Sequence, residues 1–185
     1  MQLISRGVPA FASSEIDAVS NANDASYDSI WRGDIPGWIA YNLSGVPAAN
    51  RARVVVGWYN DPITSPYDHP LVGEQAYNNL GDYTVQANPA ADAASAPTTG
   101  WVTLAAVTGN RYHSRQHVVD LTGNNWIRLN ITGSDGSAGN DDAAINLDVH
   151  GGARAHRTAG SSWATRSPRT ACITDPRAAP GTSAS

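Results

Sequence analysis

Seven short segments of alternating apolar and polar residues, each closed by turn residues, govern what this chain can fold into. Trp38-Ile39-Ala40-Tyr41-Asn42-Leu43 meets Ser44-Gly45, and Arg53-Val54-Val55-Val56-Gly57-Trp58-Tyr59 stops at Asn60-Asp61-Pro62. Asp82-Tyr83-Thr84-Val85-Gln86-Ala87 precedes Asn88-Pro89, and Trp101-Val102-Thr103-Leu104-Ala105-Ala106-Val107 ends at Thr108-Gly109-Asn110. His117-Val118-Val119-Asp120-Leu121 leads into Thr122-Gly123-Asn124. Trp126-Ile127-Arg128-Leu129-Asn130-Ile131-Thr132 ends at Gly133, and Ala144-Ile145-Asn146-Leu147-Asp148-Val149 comes last. Side chains of a strand point alternately to opposite faces, so a period of two marks strands buried on one side. Several such strands at regular spacing, with turn punctuation, describe an antiparallel β-sandwich or a barrel. No segment of helical length keeps a 3.6-residue period. Trp38, Trp101 and Trp126 each open a strand and are expected to point into the core. Residues 88–99, rich in Ala, Pro and Thr, read as a surface loop.

Size and charge bound the function. A folded part of about 150 residues buries roughly 70% of its unfolded surface and needs no covalent staple. None can form within the chain, since Cys172 is its one cysteine. Through His150 there are 7 Arg against 13 Asp and 2 Glu, a net charge of −8. An acidic body of this kind lacks the basic face that nucleic acid requires. No run approaches the eighteen or so apolar residues of a membrane helix. Met1-Gln2-Leu3-Ile4-Ser5-Arg6 lacks the apolar core of a signal peptide. From Gly151 onward the balance reverses to 5 Arg against Asp175, and Ile173 is the one large aliphatic residue. So little apolar surface cannot offset the entropy of ordering. The expected organisation is a binding domain over residues 1–150 and a disordered, Arg-rich tail over 151–185.

The body also resembles a known module. The shared stretches are Leu3-Ile4-Ser5-Arg6-Gly7-Val8-Pro9-Ala10, Asn23-Asp24 with Trp31-Arg32, and Trp38-Ile39-Ala40-Tyr41-Asn42-Leu43-Ser44-Gly45-Val46. They continue with Trp58-Tyr59-Asn60-Asp61, Gly81-Asp82-Tyr83-Thr84-Val85, Tyr112-His113-Ser114-Arg115-Gln116-His117-Val118-Val119-Asp120 and Asp148-Val149-His150. Together they resemble the β-sandwich domain that precedes the catalytic domain of bacterial SGNH (GDSL-type) esterases, and more distantly the galactose-binding-like jelly rolls. The resemblance implies an all-β jelly roll, an extracellular setting and an accessory role in sugar binding. It covers about four-fifths of the chain, residues 3–150.

The tail departs from that family. Where the esterases carry Gly-Asp-Ser-Ile-Thr, this chain reads Trp163-Ala164-Thr165-Arg166-Ser167-Pro168. Read one frame over, the codons of these residues can spell Gly-Asp-Ser-Ile-Thr. A chance fit over five positions is on the order of one in a thousand. The tail is therefore read as out-of-frame translation of the esterase's first block, with the chain truncated before the catalytic domain; a natural low-complexity tail is the alternative.

Catalysis by a serine needs a base beside it and a third group to orient that base. Neither Gly-x-Ser-x-Gly nor an in-frame Gly-Asp-Ser is present, so no catalytic residue is assigned. His113 and His117 would lie about 13 Å apart on a strand, too far to share a metal ion. The same strand would place His113, Arg115 and His117 on one face, either solvated or as a polar strip touching sugar. Trp58 and Tyr59 stand at a strand end ahead of a loop carrying Tyr67 and His69, and loops on a rigid scaffold commonly hold binding groups. The candidate carbohydrate site is therefore Trp58, Tyr59, Tyr67 and His69, with His113 and Arg115 at its edge. The loop Asn21-Ala22-Asn23-Asp24-Ala25-Ser26-Tyr27-Asp28-Ser29 resembles the calcium loop of galactose-binding-like folds. That likeness implies a structural calcium at Asp24, Asp28 and Asn146, or an ion-free turn.

The expected function is a non-catalytic carbohydrate-binding module, its partner a polysaccharide or glycan rather than nucleic acid or membrane. Two rivals stay open: a small hydrolase with a non-triad site, and a structural domain that packs on a catalytic domain.

Overall fold

The computed structural model describes residues 1–60, 79–91, 94–136 and 142–152. The chain divides into Met1–Ala155 and His156–Ser185, and every described residue belongs to the first unit. The predicted disordered tail lies outside the described residues beyond Gly152.

The seven alternating segments are strands, and three shorter strands accompany them. In chain order these are β1 (Gln2–Leu3), β2 (Ala10–Ala12), β3 (Trp31–Asp34), β4 (Gly37–Asn42), β5 (Arg53–Asn60), β6 (Leu80–Asn88), β7 (Val102–Val107), β8 (Ser114–Asp120), β9 (Trp126–Ser134) and β10 (Asp142–Gly151). One sheet runs β1-β10-β5-β8, with β3 also paired to β10, and the other runs β2-β4-β9-β6-β7. Every ladder is antiparallel. This is the antiparallel jelly-roll sandwich expected. Its first and last strands are neighbours, Gln2 facing Gly151 and Leu3 facing His150. The described helices are single turns, Val19–Ala22 and Ala48–Arg51, and none is long and apolar enough to cross a membrane.

Alternation decides what lies between the sheets. Ala143, Ile145, Leu147 and Val149 of β10 point inward, as do Val54, Val56 and Trp58 of β5 and Ile127, Leu129 and Ile131 of β9. Each large aliphatic so buried contributes about 1.5–3 kcal/mol. Two polar bridges cross this core. The Tyr41 hydroxyl donates to the Leu147 carbonyl oxygen at 3.0 Å, joining β4 to β10. Burial, seconded by the Asp148 carboxylate, pushes the Tyr41 pKa well above its ordinary value and keeps the phenol a donor. Nearer the open edge, the Tyr83 hydroxyl and His117 Nε2 lie 2.9 Å apart, joining β6 to β8. Burial raises the Tyr83 pKa against the opposing pull of Trp58 and Arg115. Burial, then the Arg115 charge, lowers that of His117.

Three tryptophans expected in the core are placed elsewhere. Trp126 is buried but stands outside the central cluster. It tilts against Phe11, with ring centroids 5.4 Å apart, and its indole reaches the Ala91 carbonyl at 3.4 Å. Trp38 and Trp101 are half-buried and flank Arg128 on the outer face of the second sheet. The parity of β9 sets this: Ile127, Leu129 and Ile131 take the inner face, so Trp126 and Arg128 take the outer one. Trp31 and Trp58 are the core tryptophans. The 88–99 stretch is the expected loop in its described part, pinned by Asn88 Nδ2 on the Thr99 carbonyl at 2.8 Å and by the Trp101 indole on the Pro97 carbonyl at 2.8 Å.

Two outcomes are expected from the bridges. Tyr41→Phe should lower stability by about 1 kcal/mol in urea unfolding, the net worth of one buried hydrogen bond. An unchanged midpoint would deny the bridge a role. Burial lowers the His117 pKa in the fold, while its unfolded counterpart binds a proton near pH 6.5. Stability should therefore fall as pH drops below about 6.5 toward the lowered folded pKa. In His117→Gln the melting temperature should depend less on pH over that window.

Candidate functional site

The outer face of the first sheet carries a depression whose floor is a missing side chain. On β10, β5 and β8 the outward residues form rows across the strands. Asn146, Tyr59 and Ser114 make one row, Asp148, Gly57 and Gln116 the next, and His150, Val55 and Val118 the third. Gly57 sits at the centre of this grid. A methyl group there would meet Gln116 Cγ at 3.4 Å, an ordinary contact, so the backbone does not require glycine for space. The absent side chain leaves a cleft of about 220 Å³ lined by Val55, Gly57, Trp58, Tyr59, Ser114, Gln116, Asp148 and His150. It is smaller than the roughly 300 Å³ at which drug-sized pockets begin, and suits a single sugar ring.

The loop 23–30 lies beside the cleft, in contact with Asp148 and Tyr59. Tyr27 projects from it, 50% exposed. Its hydroxyl donates to Asp148 Oδ2 at 3.0 Å, and its ring meets that of Tyr59 edge-on with centroids 5.4 Å apart. The Arg6 guanidinium lies 5.1 Å from the Tyr27 ring centre, a cation–π contact. Two aromatic rings thus form a rim, and a carboxylate, an amide, an imidazole and a hydroxyl surround the floor. That set offers acceptors and donors for vicinal hydroxyls together with apolar ring surface. Ser114 and His150 stand on β8 and β10 with β5 between them. Two strand spacings, about 9–10 Å, keep them from acting as a nucleophile and base.

The predicted site residues divide sharply. Tyr59 lines the cleft. Trp58 also borders the cleft but does not offer its ring, which is 1% exposed and packs edge-to-face on Tyr83 inside the sandwich. His113 precedes β8, and its carbonyl accepts from the Asn60 N–H at 2.7 Å. Arg115 and His117 do share a face, but it is the inner one, where Arg115 lies 5.8 Å from the Tyr112 ring centre. The solvated strip of β8 is Ser114, Gln116 and Val118. Tyr67 and His69 lie outside the described residues. Sequence reasoning missed Gly57, Ser114, Gln116, Asp148, His150 and Tyr27. The available signal was Gly57 itself, since an isolated glycine within a valine-rich strand marks a bulge or a place where something approaches closely.

The expected calcium residues meet in part. Asn146 reaches the loop, donating from Nδ2 to the Ser29 carbonyl at 3.1 Å. Asp24 turns its carboxylate onto its own loop, Oδ1 accepting from Ser26 N–H at 2.7 Å and Oδ2 from the Ser29 hydroxyl at 2.6 Å. Arg6 donates to the Asp24 carbonyl, and Asp28 is exposed. Among the described residues no three acidic, histidine or cysteine side chains converge as a metal set. The hard ion needs six to eight oxygens, whereas here the loop's oxygens accept from protein donors and the nearby positive charge belongs to Arg6. The arrangement does not fit a calcium cage.

Solved structures similar to this chain include sugar-binding modules. Chitosan-binding module 1 of a chitosanase/glucanase from Paenibacillus sp. IK-5 is 19% identical, covering 82% of this chain and 100% of that one, with a TM-score of 0.56. Module 2 of the same enzyme, solved with chitotriose, is 17% identical over 80% of this chain and 99% of that one, TM-score 0.55. A CBM32 module from Clostridium perfringens, solved with GalNAc-β-1,3-galactose, is 15% identical over 80% and 99%, TM-score 0.54. No family model and no curated protein matches. At these identities the likeness establishes the fold, a jelly roll of the galactose-binding-like type.

A bound ion would stabilise the fold by about 2.7 kcal/mol at about a hundredfold excess over its Kd. With Arg6 in that position, the melting temperature is expected to be the same in chelator and in millimolar calcium. A calcium-dependent rise that Asp24→Ala removes would restore the ion.

Proposed function

We propose that this domain is a carbohydrate-binding module that seats one sugar ring of a glycan in the depression above Gly57. The observation that carries the reading is the grid itself, a side-chain-free floor ringed by Tyr59, Tyr27, Asp148, Gln116, Ser114 and His150. The apolar face of the ring lies against Tyr59 and Tyr27. Its hydroxyls pair with Gln116, Ser114 and His150. Asp148, already oriented by the Tyr27 hydroxyl, accepts from a vicinal hydroxyl pair or from the ammonium of an amino sugar. Support from outside the chain is the shared fold of modules solved with chitotriose and with GalNAc-β-1,3-galactose.

The wider setting of the proposal is an accessory module of a bacterial, extracellular SGNH esterase. The sequence stretches that resemble that family support it, from Asn23-Asp24 and Trp31-Arg32 through Asp148-Val149-His150. In such a protein the module's task is to hold the enzyme on its polymeric substrate, and the ester chemistry belongs elsewhere.

A glycan array followed by calorimetry tests the site. Gly57→Val fills the floor with a residue that favours strands, and Tyr59→Ala removes half of the rim. Each should weaken binding by at least about tenfold, roughly 1.4 kcal/mol, with the fold retained by circular dichroism. If the parent binds glycans and both variants bind equally well, the cleft is not the site. If the parent binds none, the carbohydrate reading itself fails.

A further inference from the structure

The opposite face of the sandwich carries a positive charge that no carboxylate among the described residues neutralises. On the outer surface of the second sheet, Ala40, Arg128, Gln86 and Thr103 lie side by side across β4, β9, β6 and β7. The Arg128 guanidinium lies 4.2 Å from the Trp101 ring centre and 5.9 Å from that of Trp38. Its Nε donates to Gln86 Oε1 at 2.8 Å, and Nη2 donates to the same oxygen. Gln86 thus holds the side-on edge of the fork. The end-on edge, the N–H groups of Nη1 and the outer N–H of Nη2, is left for an acceptor.

Among the described residues no carboxylate meets it. The ion pairs among the described residues are those of Arg32 with Asp17 and Asp142. Along the strands of this sheet Asp82 is the only outward-facing acid, and it stands four residues along β6 from Gln86, about 13 Å. Partial burial lowers the Arg128 pKa. A guanidinium stacked on aromatic rings, with a planar pair of donors presented outward, is built for bidentate capture of a carboxylate. The small neighbours Ala40, Thr103 and Ala106 leave the two indoles standing as walls, and Trp101 is fixed by its bond to the Pro97 carbonyl.

We propose that this face is a second glycan-binding surface, selective for an acidic sugar whose carboxylate sits end-on on Arg128 between Trp38 and Trp101. The ligand class rests on the carbohydrate reading, but the surface lies on the other sheet from the Gly57 cleft and works independently of it. The acidic residues Asp120, Asp142 and Asp148 belong to the first sheet, so the repulsion they exert on an anionic ligand is weakest here.

Calorimetry with trigalacturonate as probe and its methyl ester as the uncharged control separates the outcomes. The parent should bind the acid at least about tenfold more tightly than the ester. Arg128→Gln should abolish that preference, and Arg128→Lys, which keeps the charge but loses the fork and the stacking, should retain only part of it. Trp101→Ala should weaken both ligands, and Tyr59→Ala should leave the preference intact. Equal affinity for acid and ester, no binding of the acid, or a preference surviving in Arg128→Gln overturns the proposal. So does a preference lost in Tyr59→Ala, which would place the acid in the Gly57 cleft, or concentration-dependent dimers that Arg128→Gln dissolves. Neutral glycans that bind through Tyr59 while the acid trimer does not would defeat this inference and leave the first site standing.

Discussion

Strand β10 is the constraint on which the rest depends. It is the last described strand, yet it lies inside its sheet, paired with β5 along one side and with β1 and β3 along the other. Its inward residues Ala143, Ile145, Leu147 and Val149 fill the middle of the core, and the Leu147 carbonyl anchors Tyr41 from the facing sheet. Its outward residues make the floor and wall of the cleft. Asn146 holds the loop through the Ser29 carbonyl, Asp148 holds Tyr27, and His150 ends the row. One strand thus positions core and site at once, with opposite parity. A slip of one residue would exchange them completely.

The ends of the strands are closed by asparagine amides rather than by helices. Asn23 donates to the carbonyls of Ser5 and Val8 at 2.7 and 3.0 Å, tying the N-terminal segment to the loop that carries Tyr27. Asn110 donates to those of Leu80 and Tyr112 at 2.9 and 3.0 Å. These buried amides satisfy backbone groups that would otherwise be stranded where the ladders stop. They explain how a chain with so little helix keeps its loops in place, and why so many of its buried polar residues are Asn.

How far the sequence could be read follows from parity. The seven long strands were legible because each buries one face. The strands Gln2–Leu3, Ala10–Ala12 and Trp31–Asp34 were not, being too short to show a period and defined by their partners. The cleft was legible in principle. In Arg53-Val54-Val55-Val56-Gly57-Trp58-Tyr59 the set containing Arg53 and Gly57 must face water, which sends Trp58 inward and Tyr59 outward. The same parity excludes the Trp58 ring as a surface platform, and Arg128, two residues on, sets Trp126 on the outer face. Arg115 and His117 share parity with the buried Val119, so their inward turn was also written there. What the sequence did not contain was which strands would be neighbours. The meeting of Gly57 with Asp148 and Gln116 is a fact of register between segments far apart in the chain.

The pairing of β1 with β10 has a mechanical consequence. Gln2 and Gly151 are partners on the same rung, so their backbones are about 5 Å apart. Chain entering at one and leaving at the other does so from a single point on the surface. Tension applied through both would load that rung first, then Leu3 and His150, opening the ladder one pair at a time as a zipper opens. A sandwich pulled from opposite ends shares the load over a whole strand in shear. This one, hung by adjacent ends, carries no load through its core or either face until β1 has peeled away.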